Sequence, residues 1–225
     1  MRIPLTKYGL PQVVCFPAAV CVIMAVLYVV FRTARWIVPA EAALFAVLVW
    51  MLSFFRDPPR KIAVDEKILL SPADGKVTDV SVVDDSGLGE RALRIGIFLS
   101  IFNVHLNRAP CSARIEGLRY KKGRYKNAMS PESSRVNESN DVLMTRLAEP
   151  RDRLLVRQIS GAIARHIVCG AKEKDEYRQG DCFGMIKFGS RTELYLPASE
   201  DGKYEIAVKP GDPVRAGLTP LVRYR

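Results

Sequence analysis

The pattern of apolar and polar positions divides the chain into two parts of different kind. From Val13 to Phe31, "VVCFPAAVCVIMAVLYVVF" runs for 19 residues without a charge. From Trp36 to Phe55, "WIVPAEAALFAVLVWMLSFF" repeats the pattern, interrupted only by Glu41 near its start. At ~1.5 Å rise per residue, each run matches the ~30 Å of a bilayer core. The short "RTAR" between them predicts a helical hairpin over residues 1–55, spanning or re-entrant, with helices at about 13–31 and 36–55. The first run is too long, its basic leader too thin and the second run too close for a cleaved signal peptide. Trp36, Trp50 and Tyr28 suit interfacial positions.

Pro58 and Pro59 in "FFRDPPRKI" end this part, since that pair does not continue a helix. From residue 56 to 225 the chain changes to short alternating runs punctuated by turn residues. "KILLSPADGKVTDVSVV" reads as two strands of a hairpin around an Asp74-Gly75 turn. "RALRIGIFLS" and "FNVHLNRAP" follow as strands, then "RIEGLRYKKGRYKNA" runs into a polar stretch, Ser130–Asn140, expected to be a mobile loop. "DVLMTRLAE" and "RLLVRQISGAIARHIVC" come next, the latter expected to turn helical after Gly161. "FGMIKFGSRTELYLP" reads as one strand with a Gly-Ser step at its middle, and "YEIAVKPGDPVRAG" and "LVRY" complete the strand set. The fold class predicted is α+β, mostly β: a barrel- or sandwich-like strand-rich domain behind a transmembrane or re-entrant hairpin. No fixed-period repeat and no nucleotide-binding glycine fingerprint is present.

Charge narrows the partners. The net charge is +10, and about +7 of it stays on residues 56–225. Such an excess suits an anionic partner, and the hairpin favours a membrane surface over nucleic acid. No recognition helix or RNA-binding aromatic motif argues otherwise. Two cations, Arg32 and Arg35, lie in the hairpin loop, whereas Arg2, Lys7, Arg56, Arg60 and Lys61 flank it. Both ends, and the main domain with them, are therefore expected on the cytoplasmic side of the cell (inner) membrane. The five cysteines form no C-x-x-C pair and no zinc spacing with the two histidines, which argues for a reducing compartment and no metal.

Three places combine a reactive side chain with an unusual backbone setting: Asp74 in "SPADG", His105 in "FNVHLNRAP" and Ser190 in "FGS". Singly, each has a bland reading: a turn former, a structural histidine, a bulge. Together they fit a hydroxyl nucleophile, a base, and a carboxylate that orients it.

"SPADGKV", "VHLNRAP", "QISGAIARHIVC", "FFRDPPR" and above all "FGMIKFGSRTELYLP" resemble the blocks of the phosphatidylserine decarboxylases in their short bacterial and archaeal form. The resemblance runs from about Phe54 to the C-terminus and makes residues 56–225 a decarboxylase domain. It implies autocatalytic cleavage between Gly189 and Ser190, giving chains 1–189 and 190–225 that stay associated non-covalently. Attack of the Ser190 hydroxyl on the Gly189 carbonyl, then β-elimination and hydrolysis, would leave a pyruvoyl group on the smaller chain. That cofactor would form a Schiff base with the substrate amine and convert phosphatidylserine to phosphatidylethanolamine and CO2 in phospholipid synthesis. His105, held by Asp74, would serve as base for the cut and then as proton donor to the carbanion. Arg108 is a candidate for the lipid phosphate. The chain departs from the family pattern at three points. Phe102 stands where larger members often carry a second histidine, and His166 where an arginine is common. "VNES" lacks the arginine of the family's Asn-Glu-Arg block, although Asn137 and Glu138 remain candidates to line the pocket. A homo-oligomer is left open.

Two other readings compete. A membrane-anchored serine protease of the signal-peptidase type needs a Ser–Lys pair with its serine just after the anchor, where Ser53 is the one serine on offer. A non-catalytic module like the biotinyl or lipoyl carriers would present a lysine such as Lys187 on a hairpin, but has no use for His105 and Asp74.

Overall fold

A computed structural model of the chain describes residues 5–84, 87–89, 91–130, 132–162, 166–187, 189–199 and 202–225. Its contacts divide into two units, Met1–Pro59 and Arg60–Arg225. In the first, α1 (Leu10–Phe31) and α2 (Ile37–Phe54) pack against one another as a hairpin. α1 carries no charge and α2 only Glu41, and both are long and apolar enough to cross a membrane. Val14, Val22, Val29, Val38 and Phe45 point outward, as membrane-facing side chains do. Pro11 opens α1, where a missing N–H costs nothing.

The second unit is mostly β, so the chain as a whole is α+β with the strand-rich character expected. Its elements begin with β1 (Ile68–Leu70), β2 (Gly75–Val83), β3 (Ala92–Leu99), β4 (Leu106–Arg108) and β5 (Ala113–Lys121). The one-turn helix α3 (Ser133–Val136) precedes β6 (Ser139–Arg146), β7 (Arg153–Ile159), β8 (Ile167–Cys169) and β9 (Glu176–Tyr177). Last come β10 (Cys182–Ile186), β11 (Ser190–Pro197), β12 (Tyr204–Ile206), β13 (Pro213–Val214) and β14 (Pro220–Tyr224). Among the described residues these form an eight-stranded sheet, β13-β2-β3-β11-β7-β6-β5-β9, and two three-stranded sheets, β1-β14-β12 and β4-β10-β8. Neighbouring strands are antiparallel throughout, and bulges at Val77/Asp79 in β2 and Ile115/Gly117 in β5 bend the large sheet.

Alternation sets the core. Leu93, Ile95, Ile97 and Leu99 of β3 lie on one face beside Leu194 and Leu196 of β11 and Val156 of β7. Leu69, Phe183, Leu221 and Val222 of the smaller sheets close over them. The opposite face of β11 is polar yet buried. Arg191, Glu193 and Tyr195 are at most 2% exposed there, with Glu193 accepting from Ser134 Oγ, Arg191 Nε and Tyr195 Oη.

Four expectations change. Asp74-Gly75 is no hairpin turn: β1 pairs with β14, while β2 pairs with β3 and β13. The glycine serves close approach, because a β-carbon at Gly75 would lie 2.1 Å from the Phe98 carbonyl oxygen. Within Ser130–Asn140, the described residues carry α3 and the start of β6, and Ser133, Asn137 and Ser139 are buried, so the stretch is anchored. The strand read from Phe183 to Pro197 is two strands, β10 and β11, in different sheets. Of the helix expected after Gly161, residues 163–165 lie outside the described residues, and Ile167–Cys169 is strand.

Candidate active site

The passage from β10 to β11 carries the chain from a small sheet into the large one, and Gly189-Ser190 lies at that crossing. Gly189 has φ +63°, a left-handed conformation that favours glycine. Ser190 then enters β11 opposite Leu99 of β3. Both sides of the Gly-Ser bond are thus pinned, β10 by β4 and β8, β11 by β3 and β7.

Ser190 is fully buried, and its Oγ has no hydrogen-bond partner among the described residues. A buried hydroxyl left unsatisfied is costly, which makes it a candidate for chemistry rather than for structure. His105, also fully buried, comes to the same place from the turn before β4. The Gly189 N–H donates to His105 Nε2 at 3.2 Å, and Nδ1 lies 3.0 Å from the Asn103 carbonyl oxygen. An N–H only donates and a carbonyl only accepts, so these two contacts fix the tautomer. The ring is neutral, with its proton on Nδ1 and its lone pair on Nε2 facing residue 189.

The carbonyl of Gly189 rests against Gly161. A β-carbon built on Gly161 would lie 2.1 Å from the Gly189 oxygen and 3.1 Å from its carbon. Gly161 is held in turn by its neighbour Ser160, whose N–H and Oγ both donate to the Glu138 carbonyl. Ser160 O accepts from Asn137 Nδ2 at 2.8 Å. The Asn137 amide also accepts from Lys126 N and donates to Lys126 O, stitching three segments into a shelf behind the Gly189 carbonyl. Glu138 is buried beside it, with Oε1 accepting from Tyr120 at 2.7 Å. That bond to a carboxylate pushes the Tyr120 hydroxyl up to about 12. A cavity of about 320 Å3 opens onto Gly189, lined by Phe98, Ser100, Ile101, Asn127, Ala128 and Ala162. A larger cleft of about 790 Å3, around Arg94, Arg119, Arg135 and Arg157, contains none of the nominated residues.

Beneath Ser190 a chain of amides links the two sheets. Asn140 donates to Gln158, Gln158 to Asn107, and Asn107 to Thr192 Oγ1, each at 2.9 to 3.0 Å and all buried. In the sequence these residues and Gly161 carry no catalytic motif. The available signal was the amides of "HLNRAP" and "VRQISG" set inside otherwise apolar strands.

Other nominated residues sit differently from expectation. Among the described residues Asp74 makes no hydrogen bond to His105: its two oxygens take both terminal nitrogens of Arg60, at 2.7 and 2.8 Å, and Oδ1 also accepts from Ala216 N. The reason is burial, since Arg60 is a buried cation that needs a carboxylate, and the Asn103 carbonyl already satisfies His105 Nδ1. Arg108 lies at the other end of β4 from His105, about 10 Å along the strand. It is 8% exposed and donates to the Gly180 carbonyl. His166 is exposed, and its carbonyl accepts from Lys187 N.

The rival readings lose their residues. Ser53 lies in the last turn of α2 with its hydroxyl accepting from Arg56, and Lys187 is 6% exposed rather than presented. Desolvation holds the Lys187 ammonium below its ordinary range.

Comparison with known proteins gives one consistent description. A family model described as phosphatidylserine decarboxylase matches residues 47–221. A phosphatidylserine decarboxylase proenzyme of Rhodopirellula baltica is 40% identical over 225 residues, covering 99% of this chain and 89% of the relative. Proenzymes of the same description from Carboxydothermus hydrogenoformans and Syntrophus aciditrophicus are 42% and 36% identical. They cover 80% and 96% of this chain, and 83% and 96% of their own lengths.

Proposed function

The chain belongs to the phosphatidylserine decarboxylase family, and from that premise we propose that it cuts itself between Gly189 and Ser190 and then decarboxylates phosphatidylserine at the new end. The observation that carries this reading is the pairing at the sheet crossing. A buried serine hydroxyl without a partner among the described residues adjoins a glycine whose N–H is taken by the unprotonated nitrogen of a buried histidine.

In the cut, the Gly189 N–H gives up His105 Nε2, which then takes the Ser190 hydroxyl proton as Oγ attacks the Gly189 carbonyl carbon. His105 passes that proton to the Ser190 nitrogen as the C–N bond of the peptide breaks, and an ester replaces the amide. Loss of the Ser190 α-proton expels the Gly189 carboxylate, leaving residues 1–189 as one chain and a dehydroalanine at position 190. Water then replaces its nitrogen, which leaves as ammonia, and a pyruvoyl group remains on residues 190–225. The residues present fit that group. Position 190 is buried, polar and anchored at the head of β11, with the cavity on Gly189 beside it.

When formed, the pyruvoyl group supplies a ketone that engages the substrate's amine and draws off the electron pair left by CO2, the task cofactors perform elsewhere. The remaining work falls to the chain. The apolar lining of the cavity keeps water from the departing carboxylate, and His105 returns a proton to the carbon that loses CO2. Asn137 and Glu138 act from behind, by holding Ser160 and Gly161 against residue 189. Asp74 ties the Arg60 side chain to the backbone of Ala216, and Arg108 and His166 lie outside this core. The hairpin sits in the membrane with both of its ends on the cytoplasmic side, which the cations flanking it support.

Release of labelled CO2 from carboxyl-labelled phosphatidylserine by the cut enzyme tests the reaction. No release from a fully cut, folded preparation refutes it.

A further inference from the structure

Two turns meet at the mouth of the cavity beside Gly189. Ser100 and Ile101 line it from one side, Asn127 and Ala128 from the other. Just outside that lining, Phe102 is 69% exposed and Met129 60% exposed, with Tyr125 at 43% nearby in the chain. A single exposed apolar side chain needs no explanation, but several at the rim of one cavity do.

Their exposure is built rather than slack. Asn103 Oδ1 accepts from Ser100 N at 2.8 Å while Asn103 N donates back to the Ser100 carbonyl, so the first turn is closed with Phe102 inside it. Asn127 does the same for the second: Oδ1 accepts from Met129 N at 3.0 Å, and its carbonyl accepts from Ser130 N. Each turn is locked by an asparagine and offers one large apolar side chain to the outside. The strand end and loop leading into the second turn carry Lys121, Lys122, Arg124 and Lys126, all exposed, against Glu132, which pairs with Lys126. Two exposed apolar tips, one of them preceded in the chain by a run of exposed cations, match an anionic bilayer, with its hydrocarbon beneath a negative headgroup layer.

We propose that Phe102 and Met129 form a lip that enters the headgroup region of an anionic membrane, so that substrate reaches the cavity without leaving the bilayer. The lip rests on the functional reading above for its purpose, but not for its test.

The full chain, with Trp36 and Trp50 replaced by phenylalanine, is reconstituted in phosphatidylglycerol-containing vesicles as Phe102→Trp, and separately as Met129→Trp. Lipids brominated near the headgroup end of their chains serve as quencher. The lip predicts blue-shifted emission at both positions and at least about twofold quenching. Water-like, unquenched emission at both overturns it. A kinetic arm uses Phe102→Ser/Met129→Ser in the otherwise native chain. Removing two apolar anchors should lower turnover of long-chain phosphatidylserine in vesicles by tenfold or more. Turnover of a monomeric short-chain analogue should stay within twofold. Equal loss on both substrates overturns the lip, because the damage then lies in the site. A dimer lost in this variant, with vesicle turnover unchanged, assigns the face to a second copy and also overturns it. A wild-type chain that is cut but inactive on either substrate refutes the decarboxylase reading alone, and the quenching still decides the lip.

Discussion

Gly161→Ala is the substitution whose consequence follows most directly from the geometry. The added β-carbon would lie 2.1 Å from the Gly189 oxygen, more than an ångström inside ordinary contact. Neither side yields cheaply. Gly161 is fixed through Ser160 to Asn137 and Glu138, and Gly189 through its N–H to His105. The carbonyl must therefore move by about 1 Å relative to the Ser190 hydroxyl, a misplacement that costs on the order of a hundredfold in rate. That is about 2.7 kcal/mol of barrier. The assay is cell-free synthesis of the full chain, followed on a denaturing gel as it converts to the two shorter chains. Gly117→Ala is the control, because a β-carbon there meets nothing within 4 Å. We expect the control to cut at the wild-type rate and Gly161→Ala to lag about a hundredfold, with native circular dichroism in both. Cutting of folded Gly161→Ala within twofold of wild type would refute the reasoning that the shelf positions the carbonyl.

His105→Ala should slow the cut while leaving the fold intact; a rate indifferent to the substitution removes His105 from the reaction. Asp74→Ala strands the buried Arg60 cation and should cost about 3–5 kcal/mol in urea denaturation. Most of that loss should return in Arg60→Met/Asp74→Leu, and no recovery would show that the ion pair is not its cause. Gln158→Leu leaves partner atoms of Asn107 and Asn140 unsatisfied, for about 1–3 kcal/mol each, and an unchanged urea midpoint would contradict the buried amide chain. Burial raises the Asp79 carboxyl, but Arg191, Thr78 and Arg94 outweigh it and hold the group below its ordinary 3.8. Its contribution is therefore present above that pH and lost as pH falls through the folded value. The stability gap between wild type and Asp79→Asn should be widest near neutrality and close below pH 3.8; an equal gap at pH 3 and pH 7 would refute this.

The sequence disclosed most where one physical cause gives one pattern. Long uncharged runs gave the hairpin, and strict alternation in "LRIGIFL" and "LYL" gave the central strands β3 and β11. It disclosed less where one residue serves two purposes. Asp74-Gly75 carries the same letters whether it turns the chain or lets β2 approach Phe98, and only the fold decides. Between β10 and β11 the apolar rhythm continues across a change of sheet, so the crossing is invisible as pattern. Polar residues were the main loss. Nothing in the letters of Arg191, Glu193, Asn107 and Gln158 announces burial, yet each is buried because polar partners satisfy it: Thr78 for Arg191, Ser134 for Glu193, and one another for Asn107 and Gln158. Asn137 emerged as a candidate through the resemblance, yet its work, holding Ser160 and Lys126, appears only in three dimensions. Asp74 was nominated for a bond to His105 that Arg60 takes instead.

The central claim is that the chain breaks at Gly189-Ser190 and makes its own reactive end. The intact mass of the purified full chain tests it most directly, measured beside Ser190→Ala. The account predicts two species from the wild type, residues 1–189 and a 36-residue partner from 190–225 whose blocked end has the mass of a pyruvoyl group. It predicts one uncut chain from Ser190→Ala. A single uncut wild-type chain of 225 residues in a preparation that decarboxylates its substrate would contradict it.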